Sequence, residues 1–241
     1  MKRCASSTAL VDAIVGSLRE ELADDLLAVL LTGSMYDGSY QNDSDIDICV
    51  LWRRPYSLRR RTEIEVVEID LFFDNPAGIR RIIRRGHQRF VVWMYAHARA
   101  LYDPDGEAKC LMAEGAARWA HGRAAPTKGI EFQQRCEITD SLRTIERVAD
   151  DDLLGFAYLI GPYVATAVEA YWFRVGRWGT HRKNALKQLR EDDPDVHALI
   201  AQVYDTSADL ATRKRAARDL AHAALGESTH RRDLEGSPFR R

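Results

Sequence analysis

No C-x-x-C pair occurs among the four cysteines; Cys4, Cys49, Cys110 and Cys136 are scattered along the chain. Scattered thiols frame neither a disulfide scaffold nor a zinc site, and they read as free thiols of a reducing compartment. The seven histidines show no close ligand spacing either. Charge of one sign is also lacking: 35 Lys and Arg face 36 Asp and Glu, for a net charge of -1. That balance excludes the bulk positive field of a general nucleic-acid binder, though not a local basic cleft. No membrane span is expected. The stretch from Leu153 to about Val175 is apolar nearly all round, but Gly161-Pro162 interrupts it. Its uncharged run falls short of the roughly 20 residues a span requires. At the N-terminus Lys2 and Arg3 start basic, but Asp12, Arg19, Glu20 and Glu21 break any apolar core, so no secretory signal is read there. The expected location is cytoplasmic.

What is present is an ordinary globular balance. The chain has 241 residues, 46% hydrophobic and 29% charged, enough for one large domain or two small ones, each with its own core. The informative stretch is 31–52, LTGSMYDGSYQNDSDIDICVLW. An apolar run from Leu26 to Leu31 has strand length, Gly33-Ser34 follows, and after a polar loop Asp45-Ile46-Asp47-Ile48 alternates into a second apolar strand. Alternation sends Asp45 and Asp47 to one face while Ile46 and Ile48 face the core. Adjacent carboxylates repel, and each disfavours ionisation of the other. A hard divalent cation such as Mg²⁺ relieves that repulsion. A Gly-Ser turn after a strand offers backbone N–H groups and a hydroxyl to a phosphate. Alone, each half is common: most Gly-Ser pairs are turns, and most Asp-x-Asp pairs are solvated. Their joint spacing is what carries weight.

That spacing resembles the signature of the polymerase-β-like nucleotidyltransferase superfamily, a Gly-Ser followed by an Asp-x-Asp among hydrophobics. The resemblance implies a third carboxylate on a later strand. The segment 63–73, EIEVVEIDLFF, reads as that strand, with Glu68 and Asp70 on one face. Asp70, within Ile69, Leu71 and Phe72, is preferred. By this resemblance Asp45, Asp47 and Asp70 are catalytic and bind Mg²⁺, ATP or another nucleoside triphosphate is the co-substrate, and Gly33, Ser34 and Ser44 hold the nucleotide. Many relatives carry a basic residue just after Gly-Ser, whereas this loop reads Met35-Tyr36-Asp37-Gly38. Phosphate neutralisation must then come from elsewhere, and Arg182, Lys183 and Lys187 are the expected donors. The arginines of 53–61, RRPYSLRRR, read as a loop joining two strands, either solvated or meeting an anionic substrate.

Along the rest of the chain, Ser7 or Thr8 is expected to cap a first helix carrying Leu10, Ile14 and Leu18 and ending near Asp24 or Asp25. Asn75-Pro76 opens a helix that Gly86 stops. A second apolar segment spans 89–98, residues 99–102 form a short strand, and a helix covers 107–121. The Gly-, Ala- and Pro-containing stretch 122–129 marks a boundary. Beyond it everything reads helical. Ile138, Leu142, Ile145 and Ala149 line one helix face, and Glu169 is expected to pair with Arg174 or Arg177. Residues 177–191 form a basic helix with Leu186 and Leu189 inward, Asp193-Pro194 opens another, and 207–225 is the last.

The expected fold is α/β, a small mixed sheet with flanking helices, followed by an all-α helical bundle. The catalytic domain is placed at 1–124, the bundle at 128–226 and a loose tail at 227–241. This pairing resembles the aminoglycoside-type antibiotic nucleotidyltransferases, and also the nucleotidyltransferase and HEPN-like pairs of some toxin–antitoxin systems. Arg215 and His222 fit the HEPN ribonuclease pattern only loosely. The first resemblance implies transfer of AMP from ATP to a hydroxyl of a small antibiotic-like acceptor, with Glu68, Glu137 and Asp140 as candidate acceptor contacts. The second implies a tRNA or protein acceptor. A non-catalytic nucleotide-binding module is a third reading, which the complete Asp45, Asp47 and Asp70 set opposes.

Overall fold

Two apolar strands of equal length lie at the centre of the first half of the chain. β1 (Leu26–Thr32) and β2 (Ile46–Trp52) share one burial pattern, with only the second residue of each partly exposed. Strands buried on both faces read as continuous apolar runs. In the computed structural model, which describes residues 4–38, 44–64, 66–180 and 182–226, they pair antiparallel within a five-stranded sheet. The other strands are β3 (Leu58–Ile64), β4 (Val67–Asp74) and β5 (Arg99–Tyr102), in the order β3-β4-β2-β1-β5. β2 and β4 run parallel, and the remaining pairs are antiparallel, so the sheet is mixed.

Each face of the sheet has its own core. Helix α1 (Cys4–Leu22) sends Val11, Ile14, Leu18 and Leu22 into one, with Val29, Ile48, Val50 and Phe73. The other face, bearing Ala28, Leu30, Cys49 and Leu51, packs with Ile79, Ile83, Met94, Tyr95 and Leu111. Those residues come from α3 (Pro76–Arg85), α4 (Arg89–Ala96) and α5 (Glu107–His121), which follow the short α2 (Ser34–Asp37). The Asn75 side chain accepts from the Ala77 N–H at 3.0 Å and caps α3, and Gly86 ends it in the left-handed conformation.

Several expectations need correction. Residues 53–61 are not all loop, since β3 begins at Leu58. Nor is 63–73 one strand: the chain turns at Val66, with φ 64°, so that β3 and β4 form a hairpin. Neither change is visible as hydrophobicity, because β3 is an edge strand with almost every residue exposed. Its side chains are satisfied by charge instead. Helix α1 starts at Cys4, ahead of the expected Ser7 or Thr8 cap.

Contacts divide the chain into two compact units, Met1–Gly122 and Arg123–Arg241. The second unit contains α6 (Lys128–Glu146), α7 (Leu153–Arg174), α8 (Arg182–Asp192), α9 (Pro194–Tyr204) and α10 (Leu210–Leu225). A mixed sheet with flanking helices followed by helices is therefore the architecture. Among the described residues α7 alone is long and apolar enough to cross a membrane. Its Phe156, Ile160, Tyr163 and Ala167 are buried in the core of the unit, with Ile138 and Ile145 of α6, Ile200 of α9 and Leu220 of α10. Ala149 lies beyond the end of α6.

Four further readings change here. Glu169 pairs with Arg123 rather than with Arg174 or Arg177. Burial of Arg123 demands a counter-charge, whereas Arg174 bonds a backbone carbonyl and Arg177 reaches Asp192. Helix α8 begins at Arg182, because the Gln188 side chain bonds Thr180 N and Trp178 O and holds that segment outside the helix. Within α8 Leu189 is buried but Leu186 is 46% exposed. The last helix starts at Leu210, where the Asp209 side chain caps it through Thr212 N at 2.7 Å. The expected tail, 227–241, lies outside the described residues.

Candidate active site

The register of the sheet brings the charged residues together. Thr32 of β1 lies opposite Asp47 of β2, Asp47 opposite Asp70 of β4, and Asp70 opposite Arg61 of β3. This polar row crosses the face that α3, α4 and α5 cover, two residues beyond the row of Leu30, Cys49 and Phe72. At its inner end Thr32 is buried, and its hydroxyl donates to the carbonyls of Met94 and His97 at 3.2 and 2.9 Å. Asp45 precedes β2. One carboxylate oxygen from each of Asp45, Asp47 and Asp70 lies within 4.8 Å of the other two.

Gly33 determines how closely the turn after β1 approaches this cluster. Its φ is 75°, and a Cβ placed there would stand 2.3 Å from Asp47 Oδ2. Only glycine meets both conditions without strain. Ser34, the first residue of α2, then carries a hydroxyl that is buried and has no hydrogen-bond partner among the described residues. A buried polar atom without a partner costs about 1–3 kcal/mol, so Ser34 Oγ is suited to a polar ligand.

The carboxylates are not electrostatically equal. Burial raises the Asp47 carboxyl to about 6, and the charges of Asp45 and Asp70 add to the effect. Asp70 is shifted the other way, held below the usual carboxylate range by its hydrogen bond to Arg61 and, after that, by Arg59. Arg61 forms a two-pronged pair with it, Nε to Oδ1 and Nη2 to Oδ2, both at 3.0 Å. Arg59 Nη2 also reaches Oδ2. Asp70 is buried, while both arginine side chains are more than half exposed. A cluster of carboxylate oxygens, one of them reluctant to ionise, is the donor set a hard divalent cation takes. The residues present fit such an ion.

Asp47 therefore gives a pH prediction. Its folded-state pKa lies above its ordinary 3.8, so between pH 4 and about 6 the folded state holds a proton that the unfolded state has released. The Asp47 contribution to stability falls by about 3 kcal/mol as pH rises through that window and is not regained above it. Asp47→Asn removes the penalty. Urea unfolding of metal-free protein should show the variant gaining on the wild type from pH 4 to 6 and keeping the gain at pH 7. A difference that does not change with pH would contradict the burial argument.

The other sequence candidates are placed as follows. Ser44 is half-buried, immediately before Asp45. Glu68 is exposed on β4, opposite Glu63, and is not one of the three clustered carboxylates. In the second unit Lys187 is exposed on α8, Glu137 is exposed and bonded to Gln133 at 2.8 Å, and Asp140 is exposed beside Arg143. The side chains of Arg182 and Lys183 lie outside the described residues. The cations that do touch the cluster, Arg59 and Arg61, belong to the segment read as a loop. Their signal was the alternation Arg59-x-Arg61 opposite an acidic strand.

Comparison with known proteins concerns the segment that carries these residues. Residues 12–92 match the family model described as a nucleotidyltransferase domain. The matched segment, about a third of the chain, is similar to a nucleotidyltransferase domain. The matched segment includes Gly33, Ser34 and all three clustered aspartates. Among solved structures the chain is similar to a nucleotidyltransferase-like protein from Exiguobacterium sibiricum 255-15, at 13% identity and a TM-score of 0.56. That match covers 87% of this chain and 72% of the other, and it shows a shared fold. A spectinomycin adenyltransferase from Enterococcus faecialis, solved with ATP and spectinomycin, matches at 14% identity over 90% of each chain, with a TM-score of 0.37. No curated protein matches.

Proposed function

We propose that this protein is a nucleotidyltransferase that moves AMP from ATP, with Mg²⁺, onto a hydroxyl of a small cationic, antibiotic-like acceptor. The observation that supports it is the meeting of three carboxylates with the Gly33-Ser34 turn and its unpartnered hydroxyl. Asp45, Asp47 and Asp70 would hold the cation, which supplies charge neutralisation at the phosphates. Ser34 and the turn receive the phosphate chain. In the reaction the acceptor oxygen bonds to the α-phosphorus, the bond to the bridging oxygen breaks, and pyrophosphate leaves with the electron pair. The acceptor's proton needs a base. Asp70, tied to two arginines, is a weak one, whereas Glu68 is exposed on the same strand face and interacts with Arg61 through its charge.

The acceptor reading rests on the resemblance to antibiotic nucleotidyltransferases and on overall charge. At -1 the chain offers no general attraction for a polyanion. Glu137 and Asp140, three residues apart on α6, are exposed carboxylates suited to an amine-bearing ligand. Aminoglycosides and bulk tRNA should therefore be titrated at two salt concentrations against the wild type and the variant with both Glu137→Gln and Asp140→Asn. Aminoglycoside affinity should fall by about tenfold or more in the variant, with ATP binding unchanged. Tight tRNA binding with steep salt dependence, and no response to any small amine, would replace this acceptor with a nucleic acid.

A further inference from the structure

A triphosphate brings more negative charge than one divalent cation cancels, and the three carboxylates of the site add to the excess. The turn after β1 contains no basic residue: it reads Ser34-Met35-Tyr36-Asp37-Gly38. Cations are nevertheless present within the catalytic unit. Arg59 and Arg61 are two residues apart on β3, so both side chains project from the face that bears Asp47 and Asp70. They converge on Asp70, whose carboxylate is among the clustered three. The Asp70 side chain is 2% exposed, whereas those of Arg59 and Arg61 are 56% and 54% exposed. The carboxylate is buried in the sheet, whereas the guanidinium groups that pair with it face solvent.

We infer that Arg59 and Arg61 are triphosphate-binding residues that exchange partners when the site fills. This rests on the proposed function and supplies the phosphate cations it lacks. Without metal, the two guanidinium groups serve as counter-ions to the buried carboxylate of Asp70, which would otherwise be strongly destabilising. A divalent cation held by Asp45, Asp47 and Asp70 would supply that counter-charge instead, leaving the two guanidinium groups available to phosphate. A planar fork that grips a carboxylate in two-pronged fashion grips a phosphate equally well. Residue choice supports the exchange. Arg60, between them, points to the other face, pairing with Glu21 and lying over the Phe73 ring. Arg59 also rests over the Phe72 ring on the site's face, a cation–π contact that holds the side chain on that face.

The test separates metal binding from nucleotide binding. Mn²⁺ alone is titrated by electron paramagnetic resonance, and Mg²⁺-ATP without acceptor by calorimetry, for the wild type, Arg59→Gln and Arg61→Gln. Loss of a competing cation should leave Mn²⁺ affinity at or above the wild-type level. Loss of a charged phosphate contact should weaken Mg²⁺-ATP by about tenfold or more in each variant. Unchanged ATP affinity would overturn the inference and leave the arginines as counter-ions to Asp70. A parallel fall in both affinities would also overturn it, since the arginines would then only shape the carboxylate site. Should Arg61→Gln fail to fold, Arg61→Lys keeps the charge and loses the fork. It should bind Mn²⁺ as the wild type does and ATP several-fold more weakly, and unchanged ATP binding there would again overturn the inference. A wild-type chain that binds no Mg²⁺-ATP would remove the proposed function and this inference together.

Discussion

The variant carrying both Asp45→Asn and Asp47→Asn should lose nucleotidyl transfer by about three orders of magnitude or more, since catalysis of this kind is mostly positioning and charge neutralisation. It should do so without unfolding. Asp47 sits in a site that raises its pKa to about 6, through burial first and then through Asp45 and Asp70. Removing both charges relieves that strain, so the melting temperature should be unchanged or higher. Asp70 behaves oppositely, because its charge is compensated by Arg59 and Arg61 and its removal strands two guanidinium groups. Transfer of labelled AMP and thermal melting, measured on the same preparations, check both statements. Wild-type turnover in the double variant would remove the site assignment.

Gly33→Ala should be almost as damaging although it deletes no functional group. The new methyl would stand 2.3 Å from Asp47 Oδ2, and the φ of 75° is one that a residue with a side chain adopts only under strain. The stability cost should be roughly 1–3 kcal/mol. Activity should fall further, by about two orders of magnitude, because either Asp47 or the Gly33-Ser34 turn must move by a large fraction of an ångström. Urea unfolding and turnover separate the two effects. An alanine variant with near wild-type turnover would show that the approach of turn to carboxylate is not needed for catalysis.

The parts of this molecule that were legible in its sequence are those where local chemistry and global packing agree. The run from Leu26, the Gly33-Ser34 pair and the alternation of Asp45 to Ile48 each have one comfortable arrangement, and the structure adopts it. Asn75-Pro76 and Gly86 bound α3, as their capping chemistry requires. Strand β3 was not legible, because an exposed edge strand needs no hydrophobic alternation, and its arginines serve Asp70 and Glu21 across the fold. The pairing of Glu169 with Arg123 was missed for a related reason: the partner lies 46 residues away, and only burial selects it over nearer arginines. Leu186 shows the converse, an apolar residue in a helical pattern that faces solvent. Long-range charge pairing sets these details, and periodicity does not report it.

The central claim is that the clustered aspartates and the Gly33-Ser34 turn direct attack to the α-phosphorus of ATP. Following ATP labelled separately at the α- and γ-phosphates, with Mg²⁺ and a panel of aminoglycosides and tRNA, tests it most directly. The account predicts that the α-label enters the acceptor and the γ-label leaves as pyrophosphate, and that both events vanish in EDTA. Transfer of the γ-label to the acceptor, with ADP as the co-product, would contradict it.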